Sequence, residues 1–113
     1  MSDCVFCRIA AGEIPAEVVD ETETTLAFRD ASPAAPTHVL VVPRSHYPNA
    51  AELAVREPDT LVQLVRIAHK IAEAEAIADG YRLVFNTGTG AQQSVFHAHV
   101  HVLGGREMSW PPG

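Results

Sequence analysis

Three of the six histidines in this chain stand at alternate positions, His97, His99 and His101, with Ala98 and Val100 between them and Val102-Leu103 following. Successive side chains of a strand point to opposite faces. A spacing of two therefore predicts three imidazoles on one face and Ala98, Val100 and Val102 buried on the other. Neighbouring rings in such a row lie about 6–7 Å apart, twice the rise per residue of a strand. Histidine is the one side chain that titrates unassisted near neutral pH. Three chemistries fit the row. It is a solvated strand face, a three-histidine metal centre, or a phosphoryl-transfer site. In the last, a neutral imidazole attacks phosphorus while a neighbour donates to phosphate oxygens. Gln93 and Ser94, just ahead of the row, add donors.

Cys4 and Cys7 are the only cysteines, spaced C-x-x-C. Such a pair is a redox couple or half of a metal site. A redox pair normally caps a helix inside a βαβ unit, and no strand precedes Cys4. Zinc needs two further ligands. Thr87-Gly88-Thr89-Gly90 is glycine-rich, but no Lys and no helix follow it, so it is not a Walker loop.

The elements that must position these residues are short. Cys4 to Ala10 reads as a turn leading into a short helix, punctuated by Gly12-Glu13-Ile14-Pro15. Glu17 to Asp20 and Thr25 to Arg29 read as a hairpin. Ser32-Pro33-Ala34-Ala35-Pro36 is a loop. His38 to Pro43 is a strand whose unbroken Val39-Leu40-Val41-Val42 run predicts burial on both faces. His38 is expected to be held by backbone contacts, and Arg44 to be a solvated charge. From Pro58 to about Ala78 the period becomes helical, with Leu61, Leu64, Val65, Ala68, Ile71 and Ala72 on one stripe and His69 at its boundary. Pro58 suits the first helical position, and Gly80 is expected to supply a left-handed cap. Tyr81 to Asn86 is a strand, Thr87 to Gln92 a loop, and the histidine strand runs to Gly104-Gly105. About five strands with one main helix between them make an α+β class.

At 113 residues the chain is expected to form one domain, residues 1–113, and 47% hydrophobic residues suit a folded globule. A net charge of −6 gives no electrostatic basis for binding nucleic acid or an anionic membrane. The longest apolar runs are too short to cross a bilayer. Met1-Ser2-Asp3-Cys4 has no basic segment followed by an apolar one. The expected setting is cytoplasmic, where thiols stay reduced.

The segment Gln93-Ser94-Val95-Phe96-His97-Ala98-His99-Val100-His101-Val102-Leu103 resembles the signature of the histidine-triad (HIT) proteins. Phe28 to Pro33, followed by Ala35 to Pro43, is similar to that family's first half. The tail Gly104 to Gly113, ending Trp110-Pro111-Pro112-Gly113, resembles that of the histidine triad nucleotide-binding branch. The resemblance implies a HIT-like fold, with a roughly five-stranded antiparallel sheet, one long helix and a short helix. It also implies a homodimer whose sheet runs on across the two subunits. The implied activity is hydrolysis of purine nucleoside phosphoramidates, with AMP and GMP as related ligands. A nucleotide-binding regulatory protein and a dinucleoside polyphosphate hydrolase are the alternatives.

By the same resemblance His99 attacks the α-phosphorus, and His101 holds phosphate oxygens and assists proton transfer. Ser94 bonds near the leaving group, and the His97 carbonyl orients the His99 ring. Asn86 and Gln93 complete the phosphate shell. Asp30 takes the ribose hydroxyls, although an Asp ahead of Ser32-Pro33 also reads as a loop cap. Phe6, Ile9, Ile14 and Phe28 match the base pocket, and read alone are core residues. Trp110 of one subunit reaches the other's site. Ala31 and Gln92 depart from the pattern, at the base pocket and the phosphate loop. The family's Pro-x-x-His, here Pro43-Arg44-Ser45-His46, implies a structural zinc on Cys4, Cys7, His46 and His97, and no catalytic metal is required.

Overall fold

The histidine segment enters the middle of a five-stranded antiparallel sheet. The computed structural model describes residues 3–113; Met1 and Ser2, part of the amino-terminal reading above, lie outside them. Helix α1 (Val5–Ala10) leads into β1 (Val18–Glu21), β2 (Thr25–Arg29) and β3 (Thr37–Pro43). Two helices follow, α2 (Ala50–Arg56) and α3 (Pro58–Ala74), then β4 (Tyr81–Val84) and β5 (Val100–Gly104). The strand order is β1-β2-β3-β5-β4. Thus β5 lies between β3 and β4, with Leu40 opposite His101 and Val41 opposite Val100.

All seven residues of β3 are buried, as its unbroken apolar run requires. Its two faces feed two cores. Val39 and Val41, with Ala27, Ala98, Val100 and Val102, pack against Leu53, Leu64, Ile67, Ala68 and Ile71 of α2 and α3. Leu40 and Val42, with Leu26 and Phe28, pack against Phe6 of α1. The predicted apolar side of the histidine segment is thus the helix-facing side, and the imidazoles lie on the α1 side.

Four details depart from expectation. The expected histidine strand begins only at Val100, so His101 lies on it while His97 and His99 lie in the segment that leads into it. The sequence reading left Ala50–Arg56 unassigned, yet Asn49 Oδ1 accepts the Glu52 N–H at 2.9 Å and caps a helix there. Helix α3 ends earlier than expected, and Gly80 is not its left-handed cap. Ala76 takes that conformation (φ 61°). The Ile77 N–H donates to the Ala72 carbonyl and the Ala76 N–H to Glu73, which is the Schellman pattern. Ile77 can then bury its side chain, and that burial fixes where the helix stops. Finally, Val65, placed on the buried stripe, is 43% exposed, and Ile67 is buried instead. Among the described residues no helix is long and apolar enough to cross a membrane.

Candidate active site and metal centre

His99 and His101 line a cleft of about 770 Å³ on the α1 side of the sheet. One wall is apolar and comes from α1, its following loop and the sheet. It includes Phe6, Ile9, Ile14, Phe28 and Leu40. The other end is polar, with Asp30, Asn86, Gln92, Ser94 and the two imidazoles. Ala31 also borders it. The cleft therefore joins a surface for a flat apolar group to a cluster of hydrogen-bonding side chains, the form of a small-molecule site.

Backbone bonds fix which nitrogen of each ring carries a proton. His99 Nδ1 lies 2.7 Å from the His97 carbonyl oxygen. A carbonyl only accepts, so Nδ1 carries the hydrogen and Nε2 keeps its lone pair. The Ala34 N–H donates to His38 Nδ1 at 2.9 Å, so the His38 proton sits on Nε2. From there it donates to His101 Nδ1, 2.9 Å away. His101 is then protonated on Nε2 and offers a donor. Neighbouring rings His99 and His101, 5.0 Å apart between centroids, thus present a nucleophile and a donor.

Burial keeps these rings neutral. His101 is pushed down to about 4 by burial and by the proximity of His99 and His38. Burial also lowers His99. It lowers His38 too, against the pull of Asp30 Oδ2 at 3.4 Å. At neutral pH the site holds lone pairs rather than imidazolium charge, as a histidine nucleophile needs.

His97 leaves the row. Its ring is fully buried, and its Nε2–H donates to the Pro43 carbonyl at 2.7 Å, leaving Nδ1 bare. That nitrogen lies 3.4 Å from Cys4 Sγ, 3.5 Å from Cys7 Sγ and 3.1 Å from His46 Nδ1. Cys7 Sγ is 3.3 Å from His46 Nδ1. The donor atoms of all four side chains lie within 4.8 Å of one another. Metal–ligand bonds of about 2.0–2.3 Å in a tetrahedron set ligand atoms roughly 3.3–3.8 Å apart, so the cluster's spacing is close to that of a Cys₂His₂ zinc site. Four protein donors leave no open position, so a metal here serves structure.

A second cluster, Asp30, His38 and His101, has metal-ligand residue types. The Ala34 N–H rules it out as a ready-made site, because it keeps a proton on the His38 nitrogen that would have to bind the ion.

Other sequence assignments resolve as follows. Asp30 is both a loop cap, accepting the Ser32 N–H at 2.8 Å, and a cleft residue. Gln93 does not reach the cleft. Its amide donates to the Pro48 and Val95 carbonyls and accepts the Gly88 N–H, so it ties the loop down from beneath. Gln92, at φ 67°, reaches the cleft instead. Trp110 is 82% exposed and does not line the cleft. Arg44 is not merely solvated: it donates to the Thr22 and Ala10 carbonyls and to Glu21. His69 lies exposed at the edge of the α3 apolar stripe and bonds the Tyr81 hydroxyl.

Sequence reasoning missed His38, which holds the His101 tautomer. The available signal was a polar side chain at the head of a strand otherwise apolar on both faces.

A model of the HIT domain matches residues 11–108. A 14 kDa zinc-binding protein of Zea mays is 46% identical over 114 residues, covering 99% of this chain and 89% of that protein. The crystal structure of a HIT family hydrolase from Legionella pneumophila superposes with a TM-score of 0.94 at 48% identity, covering 98% of this chain and all of that one. A histidine triad nucleotide-binding protein from Candida albicans gives 0.81 at 29% identity, covering 96% and 83%.

Proposed function

The chain belongs to the HIT domain family, and on that footing we propose that it is a hydrolase of purine nucleoside phosphoramidates. The observation that carries the reading is the His99 tautomer. A carbonyl 2.7 Å away holds the proton on Nδ1, so the Nε2 lone pair is available to a ligand in the cleft. The purine lies against Phe6, Ile9, Ile14 and Phe28, and the ribose hydroxyls donate to Asp30. Asn86, Ser94 and His101 surround the phosphate and leaving group.

His99 Nε2 attacks the α-phosphorus, and the P–N bond breaks. His101 assists proton transfer to the departing amine, with the Ser94 hydroxyl hydrogen-bonded near it. The nucleotidylated ring gains positive charge, and its Nδ1–H bond to the His97 carbonyl strengthens as it does. Water then attacks the same phosphorus, the P–N bond to His99 breaks, and the nucleoside monophosphate is released. One difficult displacement becomes two easier ones.

Cys4, Cys7, His46 and His97 would hold a structural zinc, which would tie the start of α1 to the loops after β3 and before β5. The presence of a zinc-binding protein among the relatives supports this. Thiolate ligands suit a reducing cytoplasm. The protein acts as a homodimer, in which Trp110 approaches the partner's site.

The test is incubation with adenosine 5′-phosphoramidate. The wild type releases AMP, and His99→Ala does not. AMP release at the wild-type rate by that variant removes His99 as nucleophile. Cleavage of diadenosine polyphosphates in preference to phosphoramidates moves the assignment to that substrate class. Tight nucleotide binding with no turnover of either substrate makes the protein a binding module.

A further inference from the structure

One residue belongs to both sites. His97 offers its Nδ1 to the Cys4/Cys7/His46 cluster, while its carbonyl, on the same backbone unit, holds the proton of His99. Helix α1 is shared in the same way. Cys4 and Cys7, three residues apart, face the cluster, whereas Val5, Phe6 and Ile9 line the cleft. At six residues α1 is far too short to be stable alone. Its one buried side chain is Phe6, and the Arg44 guanidinium holds its last carbonyl at 3.2 Å. Ile9 and Ala10 also pack against the core beneath the helix, and the four-donor cluster adds a further anchor at its start. Sulfur and nitrogen atoms brought to 3.1–3.5 Å of one another are spaced to share a cation, which would hold them together.

We propose that the metal centre and the nucleotide cleft are thermodynamically coupled through His97 and α1. Metal occupancy raises the cleft's affinity for its nucleotide, and bound nucleotide raises the affinity for the metal by the same factor. The proposal rests on the nucleotide reading of the cleft given above. The coupling has two routes. The cation sets the position of the Phe6–Ile9 wall, which meets the base. It also sets the His97 backbone, which meets the nucleophile. Reciprocity follows from linkage, because the two binding free energies share one coupling term.

The experiment uses the full chain loaded with zinc. AMP affinity is measured by calorimetry on the loaded protein. Zinc affinity is measured by competition with a chromophoric chelator, with and without saturating AMP; a protein-free control corrects for zinc held by AMP itself. Zinc affinity is expected to rise about fivefold or more with AMP bound, within the usual range of coupling between sites. An unchanged zinc affinity in protein that binds AMP overturns the coupling and leaves the functional reading standing. Failure of the loaded protein to bind AMP at all overturns the functional reading itself.

A pair of variants separates coupling from general damage. His46 is exposed and lines no part of the cleft. His46→Ala removes one donor and should weaken both zinc and AMP binding. His46→Cys keeps four donors and should restore both. An AMP affinity equal to wild type in His46→Ala, with zinc lost, overturns the proposal. Where His46→Ala does not fold, the zinc competition on the wild type decides.

Discussion

His38 Nε2 stands 2.9 Å from His101 Nδ1, and the two residues are sixty-three positions apart in the chain. The sheet register brings them together. His101 faces Leu40 across β3 and β5, and His38 lies two residues from Leu40 on the same face. The Ala34 N–H starts a chain of donors that runs through His38 into His101. A histidine outside the triad thereby decides which nitrogen of the triad's last member bears a proton.

The first prediction concerns that relay. His38→Ala removes the donor to His101 Nδ1, and the ring is free to take the wrong tautomer. An unsatisfied buried group costs about 1–3 kcal/mol, and if that falls on the barrier the rate drops by roughly 5- to 150-fold. The expected result is a lower kcat with KM little changed. A parallel rise in KM with kcat intact would show instead that His38 serves binding.

A second prediction is a pH dependence of stability. His101 is near 4 when folded, against about 6.5 when unfolded. Between those values the unfolded chain binds the proton and the folded one does not, so unfolding becomes easier as the pH falls from about 6.5 towards 4. Burial lowers His38 and His99 in the same direction. Chemical denaturation at pH 7 and pH 5 should show lower stability at pH 5. His101→Gln should flatten part of the slope, by on the order of 2 kcal/mol. A slope identical in the two proteins would locate the effect elsewhere.

At Ala76 the fold contains a residue whose type does not suit its backbone. A left-handed L-residue costs roughly 1–2 kcal/mol, and Ala76 sits at φ 61° in the helix cap. Glycine removes that strain but adds freedom to the unfolded chain, worth about 0.4–1 kcal/mol. Ala76→Gly should therefore stabilise by up to about 1.6 kcal/mol, read as a higher Tm. A fall in Tm would mean that the methyl group contributes packing that outweighs the strain.

How much of this was legible in the sequence depended on range. Local period decided β3, α3 and the split of the histidine segment into an apolar and an imidazole face. The metal cluster was legible only through the resemblance, since C-x-x-C supplies two ligands and spacing says nothing of His46 and His97. Gln93 and Arg44 were misjudged because each finds its partner by tertiary contact; His38 is held by a backbone N–H as expected, but its second partner, His101, is far away in sequence. Gln93 looked like a phosphate donor by its place beside Ser94, yet the amide bonds Pro48, forty-five residues away. Ser94 faces the cleft, while Gln93 beside it turns inward to bond the loop backbone. Helix α2 was overlooked because Leu53 is its one buried residue, too few to show a period.

An ion pair supplies the next prediction. Arg29 on β2 donates through both terminal nitrogens to Glu75 beyond α3, at 2.9 and 3.2 Å. This bond holds the Glu75 carboxyl below its ordinary range. A lowered carboxyl adds stability above about pH 4.5, and that stability is lost as pH falls through the folded value. Glu75→Gln should destabilise by about 1 kcal/mol at pH 7, because the Arg29 guanidinium loses one of its two charged acceptors and keeps Glu17. The difference from wild type should shrink in acid. Equal losses at pH 7 and pH 3 would assign the effect to shape rather than charge.

The last prediction is association. Strand β4 is an edge of the sheet, and an uncovered edge presents unpaired backbone groups that natural proteins cover or blunt. Val62 and Val65 of α3 are 54% and 43% exposed, although the helix otherwise buries its apolar side chains against the sheet. A second copy meeting the first through α3 and β4 would cover both features and extend the sheet across the pair, an isologous arrangement. Sedimentation equilibrium should give twice the mass of one chain. Val62→Glu combined with Val65→Glu places carboxylates on that surface and should shift the protein to monomer. The circular dichroism spectrum should stay folded, because neither valine is in the core. If Trp110 completes the partner's site, the monomer should also lose AMP affinity. A double variant that remains dimeric would move the contact off α3, and a wild type of single-chain mass would remove the dimer.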